Sequence, residues 1–376
     1  MEKIIVIFIA LLIPMHYLGR ALFYIDLSLI VLFFIYLVLK NKINIFKLID
    51  KFMISIFLFY LIALLINIIN PTEDYHYNIR LLYSLPVILI ILNYMFIESN
   101  ISEVNFLLFQ KVLFYLVSFI SIIVFFSYIL DINIIYSIKK MEYIDTFEHY
   151  LFHSKQNIFA ILIAFFLYYY LKNKSIVNLI LLIFIYLGTY ASHGRTAMVT
   201  IIIGTITYVF INAFGKKIQN YKKIILLLII LVSSLIFILI NDNKLFDLDL
   251  LTSGRYNGWL LNVDLILKDN TIFGYGIQGA MQLKEKGLLL FKHPHNLYIE
   301  TLFSLGLIGF LSLCILTSIF FIDILKSNNL YSKNIAITTF AAVFINVQAI
   351  GGIWGFASML ITISVLYIAY HKRKVK

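Results

Sequence analysis

Apolar residues along this chain fall in long runs broken by short polar stretches. The runs occupy approximately 3–18, 21–39, 52–70, 81–97, 105–130, 157–171, 176–192, 197–214, 224–241, 297–322, 335–350 and 355–370. At 1.5 Å per residue, runs of this length match a hydrocarbon core of about 30 Å. Helices are the expected spans, because a helix satisfies its own backbone hydrogen bonds in lipid. The pattern predicts an all-α integral membrane protein of about 12 transmembrane helices, a single polytopic domain over 1–376 with both ends on one side. The first run, from Ile4, looks like a signal sequence, yet it lacks a small-residue cleavage site and leads straight into a second run, so a retained helix is expected.

Composition strengthens this reading. Hydrophobic residues make up 62% of the chain and charged residues 13%, against roughly a quarter charged in soluble domains. No aqueous fold hides that much apolar surface. The single cysteine, Cys314, lies inside a predicted span and builds no disulfide framework. The net charge of +11 follows from topology. With the N-terminus cytoplasmic, 17 of the 30 Lys and Arg residues fall on short cytoplasmic loops and tails, as the positive-inside rule asks. No nucleic-acid partner is needed to explain the charge.

The arginines and histidines run the other way. Arg20, Arg80, Arg195 and Arg255, and His16, His76, His149, His153, His193, His293 and His295, fall on the outer side or at outer span ends. Arginine suits phosphate oxygens through two parallel hydrogen bonds, and histidine exchanges its proton near neutral pH. The outer face is therefore expected to hold a phosphorylated molecule and move a proton. Interfacial arginines can also merely snorkel to headgroups. Arg195 is different: Ser192-His193-Gly194-Arg195 joins two runs with almost no loop, which puts a charge at the membrane boundary.

Two outer loops are long enough to carry a site, at 131–156 and 242–296. The second holds six glycines, Arg255, Trp259, His293 and His295, and its stretch Tyr256–Leu267 has apolar residues at helical spacing, as in a surface amphipathic helix. Gly274-Tyr275-Gly276-Ile277-Gln278-Gly279 matches G-x-G-x-x-G, but it neither follows a strand nor opens a Rossmann unit. Asp247-Leu248-Asp249 resembles a metal-holding pair of nucleotide-sugar transferases, but it falls on the wrong side of the membrane for nucleotide sugars. His293-Pro294-His295 has no Cys or acidic residue at ligand spacing and makes a poor zinc site. No metal and no cofactor are expected.

What remains is His295-Asn296, nine residues, then Gly306-Leu307-Ile308-Gly309. This layout resembles the O-antigen ligase and O-antigen polymerase superfamily, in which a histidine followed by Asn, Ser or Gln precedes a G-x-x-G-like element where the large periplasmic loop re-enters the membrane. Gly194-Arg195 at a helix start, and Arg255 with Trp259 followed by the Gly274/Gly276 turn, extend the resemblance over about 188–325. The resemblance implies a GT-C-like bacterial inner-membrane enzyme with cytoplasmic termini and a periplasmic site. It implies transfer of a sugar chain from an undecaprenyl-pyrophosphate-linked oligosaccharide to an acceptor hydroxyl without a metal. Arg195 and Arg255 would bind the pyrophosphate and His295 would be the general base, kept neutral by a following helix N-terminus. Arg80, His193, His293, Asn296 and Glu300 would support them.

Polymerase and ligase share donor and chemistry and differ in acceptor. A loop of about 55 residues and heavy Ile, Lys and Asn usage favour a polymerase, which would work beside membrane lipid and leave room for a chain-length regulator protein. The H-N-x9-G-x-x-G element fits the ligase pattern. A flippase for the same lipid-linked sugars is the alternative from another class, but it calls for charges inside the bundle and two similar halves, and no repeat is evident.

Overall fold

The computed structural model describes residues 1–18, 20–70, 76–99, 102–130, 159–192, 194–214, 255–277, 279–289, 291, 294, 296–325, 330–347 and 356–372. The outer loop at 131–156, the expected span at 224–241 and residues 242–254 of the large loop lie outside them.

The described residues form helices α1 (Glu2–Leu18), α2 (Arg20–Asn41), α3 (Lys51–Ile69), α4 (His76–Asn93), α5 (Ser102–Leu130), α6 (Ile163–Lys172) and α7 (Ile176–Ala191). They continue with α8 (Arg195–Phe214), α9 (Arg255–Asp269), α10 (Gly279–Glu285), α11 (Leu297–Leu325), α12 (Leu330–Val347) and α13 (Phe356–Lys372). No strand occurs among them. Four helical stretches, Ala21–Asn41, Lys51–Ile69, Ser102–Leu130 and Leu297–Ile322, are long and apolar enough to cross a membrane, and Ser84–Glu98, Ile176–Ala191, Thr196–Asn212 and Met359–Ala369 are shorter apolar helices. Outward-facing Leu32, Leu39, Ile68 and Ile206 are each more than half exposed, which suits a lipid solvent and not water. This is the fold of an integral membrane protein.

In lipid, apolar surface alone does not drive helices together; close approach at small residues and interhelical hydrogen bonds do. Both devices are present. Gly188 of α7 lies against Ser121 of α5 so closely that a methyl group there would meet the Ser121 carbonyl oxygen at 2.6 Å. Helices α8 and α12 run antiparallel, tied by Asn334 donating to Asn212 at 2.8 Å at one end and Asn346 donating to Thr200 at 3.3 Å at the other. Helix α3 is capped by Asp50, whose Oδ1 accepts from the Met53 N–H and whose Oδ2 accepts from the Tyr367 hydroxyl of α13.

The largest departure from the sequence reading is α11. The run 297–322 reads as one straight span, but Gly306 adopts φ 62° and ψ −160° and divides it into two helical segments. Tyr298 and Phe310, twelve residues apart, would be about 18 Å apart along a straight helix. Their ring centroids lie 6.4 Å apart, and the Tyr298 hydroxyl reaches the Thr317 side chain. The first segment therefore folds back alongside the second, and its N-terminus points into the bundle.

Candidate functional site

A helix broken inside a membrane exposes carbonyls before the break and N–H groups after it, and these must find partners. Residues 271–276 of the large loop supply them as a strap. The N–H groups of Tyr275 and Gly276 donate to the carbonyls of Phe303 and Ser304 at 2.8 and 2.9 Å. The N–H groups of Leu307 and Ile308 donate to the carbonyls of Thr271 and Ile272 at 2.8 and 3.4 Å. The Tyr275 ring stacks on Phe303 with centroids 4.9 Å apart, and Asn70, the residue after α3, donates to the Gly274 carbonyl at 2.8 Å. Gly274 and Gly276 both have positive φ, so the G-x-G-x-x-G stretch serves backbone docking.

Around the strap the loop has its own small core, in which Ile266 of α9, Ala280 of α10, Leu289 and Phe303 of α11 are buried. Helix α9 covers the stretch expected to be an amphipathic helix, and it buries Gly258, Asn262 and Ile266 at four-residue spacing. The Tyr275 hydroxyl donates to the Leu265 carbonyl at 3.1 Å and to the Asp269 carboxylate at 3.2 Å. Burial, and then the hydrogen bond to Asp269, push that phenol above the usual tyrosine range.

Of the predicted site residues, Arg255 is the first residue of α9 and is half-buried. One turn on, the Trp259 Nε1–H donates to the Pro294 carbonyl at 2.5 Å. Gly258 packs so close to Phe291 that a methyl there would lie 2.9 Å from the ring. The start of α9 is thus fastened to the His-Pro-His segment through its central residue and the residue three before it. Asn296 is buried and caps α11: its Oδ1 accepts from the N–H groups of Tyr298 and Ile299 at 3.0 and 3.2 Å, and its carbonyl accepts from the N–H of Glu300 at 2.8 Å. Such a cap satisfies two of the helix's orphan donors. Glu300 is 2% exposed.

Arg195 opens α8, following the buried turn in which the Ser192 hydroxyl donates to the Thr189 carbonyl at 2.7 Å and accepts from the Gly194 N–H at 3.4 Å. Arg80 lies in the second turn of α4. The side chains of Arg80 and Arg195, and His193, His293 and His295, lie outside the described residues. Side-chain contacts made by α12 nevertheless link the starts of α8 and α11. Thr200 of α8 accepts from Asn346 of α12, and Phe344, two residues before Asn346, meets Tyr298 with ring centroids 5.9 Å apart. Among the described residues no group of three or more His, Cys, Asp or Glu could hold a metal ion.

Sequence reasoning missed Gly306 as a break, Asn70 as an anchor and Pro294 as the point where Trp259 attaches. The glycines at 274, 276 and 306 carried the only local signal of the strap.

Residues 177–314 match the family model described as O-antigen ligase. No curated protein matches the chain. The matched stretch starts within α7, contains α8, the strap and the capped start of α11, and ends at Cys314 beyond the Gly306 break. It includes every predicted site residue except Arg80. The resemblance to the O-antigen polymerase and ligase superfamily is therefore shown, over residues 177–314.

Proposed function

We propose that this protein is an O-antigen polymerase, moving a growing glycan from undecaprenyl pyrophosphate to the sugar hydroxyl of another lipid-linked repeat unit on the periplasmic face. The observation that carries the reading is the bond from Trp259 to the Pro294 carbonyl. It fastens the helix that begins with Arg255 to the segment that holds His295, one residue before the cap of α11. On this reading Arg255 is the cation and His295 the base, and the bond between Trp259 and Pro294 supports it by tying together the two pieces of chain that carry them.

The chemistry needs little more. The acceptor oxygen attacks the anomeric carbon as the bond from that carbon to the pyrophosphate oxygen breaks. His295 takes the hydroxyl proton, and the electron pair of the broken bond leaves on the pyrophosphate. Arg255 and Arg195 neutralise the charge that grows there. The N–H groups at the start of α11 and the helix dipole disfavour an imidazolium before the reaction, which keeps a neutral base available. Glu300, buried in the first turn of α11, and His193, His293 and Arg80 hold the surroundings in place.

A ligase that transfers the same glycan to lipid A core is the second reading. The family description and the H-N-x9-G-x-x-G element favour it; the loop of about 55 residues favours the polymerase. The test is a lipopolysaccharide gel from cells lacking the gene and from the same cells complemented with wild type, Arg195→Ala, Arg255→Ala or His295→Ala. For a polymerase the long ladder is lost while one repeat unit stays attached to core. Core without any repeat unit, with polymer building up on the lipid carrier, means a ligase. Full ladders from all three variants sink the site assignment.

A further inference from the structure

The strap meets one end of α3, where Asn70 donates to the Gly274 carbonyl, and Asp50 caps the other end. Three more helix ends gather at that far end. Asn93, the last residue of α4, donates to the Leu48 carbonyl at 2.6 Å. Just beyond α4, Tyr94 and Ser99 donate to the two carboxylate oxygens of Glu2, in the first turn of α1, at 3.2 and 2.5 Å. Beside them the start of α1 and the end of α2 leave a cavity of about 350 Å3, whose lining includes Glu2, Lys3, Tyr36, Lys40 and Asn41. Both Glu2 oxygens are taken by Tyr94 and Ser99, and among the described residues Lys3 and Lys40 have no carboxylate partner. Two unpaired cations therefore line one opening.

The surroundings of the cavity are apolar. Residues four apart share a helix face: Ile7 lies one turn from Lys3 on α1, Leu32 lies one turn from Tyr36 on α2, and both are exposed. An acyl chain fits such faces, whereas a free phosphate gains nothing from them. The connection from α2 to α3 adds a second apolar element. Its 3-10 turn, Ile45–Leu48, is capped by Asn44, whose Oδ1 accepts from the Phe46 N–H at 3.1 Å, and Leu48 is buried. Phe46 is thereby held outward, 84% exposed, with exposed Lys42 and Lys47 on either side of it in the chain. A phenyl ring held out among cations suits the boundary between headgroups and acyl chains, not water. This is also the end at which the lysine distribution predicts the cytoplasmic leaflet, whose surface is negative. We propose that the cavity between α1 and α2 binds an anionic phospholipid. Its headgroup phosphate is held by Lys3 and Lys40, and its acyl chains lie along the exposed faces of the two helices. The site is at the far end of α3 from the strap and is separate from the proposed transfer reaction.

The test is native mass spectrometry of the full chain released from nanodiscs of equal phosphatidylglycerol and phosphatidylethanolamine. Phosphatidylglycerol is expected to stay bound at collision energies that strip phosphatidylethanolamine. Lys3→Gln/Lys40→Gln should lower its retention several-fold, to the level of phosphatidylethanolamine, and Lys3→Arg/Lys40→Arg should keep it. Lys284→Gln/Lys286→Gln removes the same charge from exposed positions in the large loop and should retain the lipid as wild type does. Should the first variant not fold, competition on wild type decides. Short-chain phosphatidylglycerol is expected to displace the bound lipid, and equal concentrations of inorganic phosphate or glycerol phosphate are not. Unchanged retention in Lys3→Gln/Lys40→Gln, or an equal loss in Lys284→Gln/Lys286→Gln, overturns the site. Displacement by inorganic phosphate as effective as by short-chain phosphatidylglycerol overturns the lipid as its occupant. Equal retention of the two lipids by wild type overturns the preference for a negative headgroup, and the proposal with it.

Discussion

Gly274 and Gly306 meet backbone to backbone: a methyl group on Gly274 would lie 2.5 Å from the Gly306 nitrogen, and one on Gly306 would lie 2.6 Å from the Gly274 nitrogen and collide with the Ile272 carbonyl oxygen. The bend in α11, and with it the position of Asn296, depends on this approach.

Gly306→Ala and Gly274→Ala are therefore expected to abolish transfer and to lower folded yield sharply. Each puts a side chain into a backbone region nearly restricted to glycine, a strain of about 1–3 kcal/mol, and adds a clash with backbone that has no room to shift. Gly287→Ala is the control. Gly287 also has positive φ, at 74°, but has open space around it, so that variant should retain activity with only a small fall in melting temperature. Equal behaviour of all three in a thermal-unfolding series would mean that the close approach contributes nothing.

Asn296→Ala removes the acceptor for the Tyr298 and Ile299 N–H groups and should cost about 1 kcal/mol of stability. Asn296→Asp and Asn296→Ser keep an acceptor oxygen and should restore most of it. If Ala and Asp variants melt together, Asn296 is not acting as a cap, and its part must be sought at the substrate instead.

Trp259→Phe keeps an aromatic ring but loses the N–H-bearing part of the indole, and with it the bond to the Pro294 carbonyl. A hydrogen bond of this kind contributes about 1 kcal/mol, so transfer should drop several-fold while folded yield is nearly unchanged. Single-turnover rates with a lipid-linked donor measure the drop. A rate equal to wild type would show that α9 does not need this attachment to hold Arg255.

Tyr275→Phe keeps the stack on Phe303 but loses the bonds to Leu265 and Asp269. The phenol is raised in the folded state. The stabilisation is therefore complete below the unfolded value near pH 10 and is lost as pH rises through the higher folded value. Melting temperatures at pH 8 and pH 10.5 should fall more steeply for wild type than for the variant, which is less stable at pH 8.

Much of this architecture is legible in the apolar runs, because a helix that must cross lipid announces itself by length and composition. Helices α2, α3 and α5 follow the runs read from the sequence to within a few residues. The bend in α11 is not legible that way. Gly306 sits between leucines, so hydropathy averages across it, and the partners that satisfy the break come from the strap about 30 residues earlier. The candidate residues of the proposed site, Arg255 and the His295-Asn296 pair among them, are read from the sequence as residue types. The attachment of α9 at Pro294 is not legible there, because a tryptophan donating to a proline carbonyl leaves no periodic trace.

The hydrogen bonds between the strap and α11 join main-chain groups on both sides, so none of them reads the side chains of Ile272 or Phe273, while the Thr271 hydroxyl is held by the Ile266 and Leu267 carbonyls of α9. Ile272 and Phe273 are 57% and 39% exposed. Their identities can be exchanged while the glycines hold the joint closed. A scaffold of this design keeps its bent helix and its capped start unaltered while the exposed residues beside them vary.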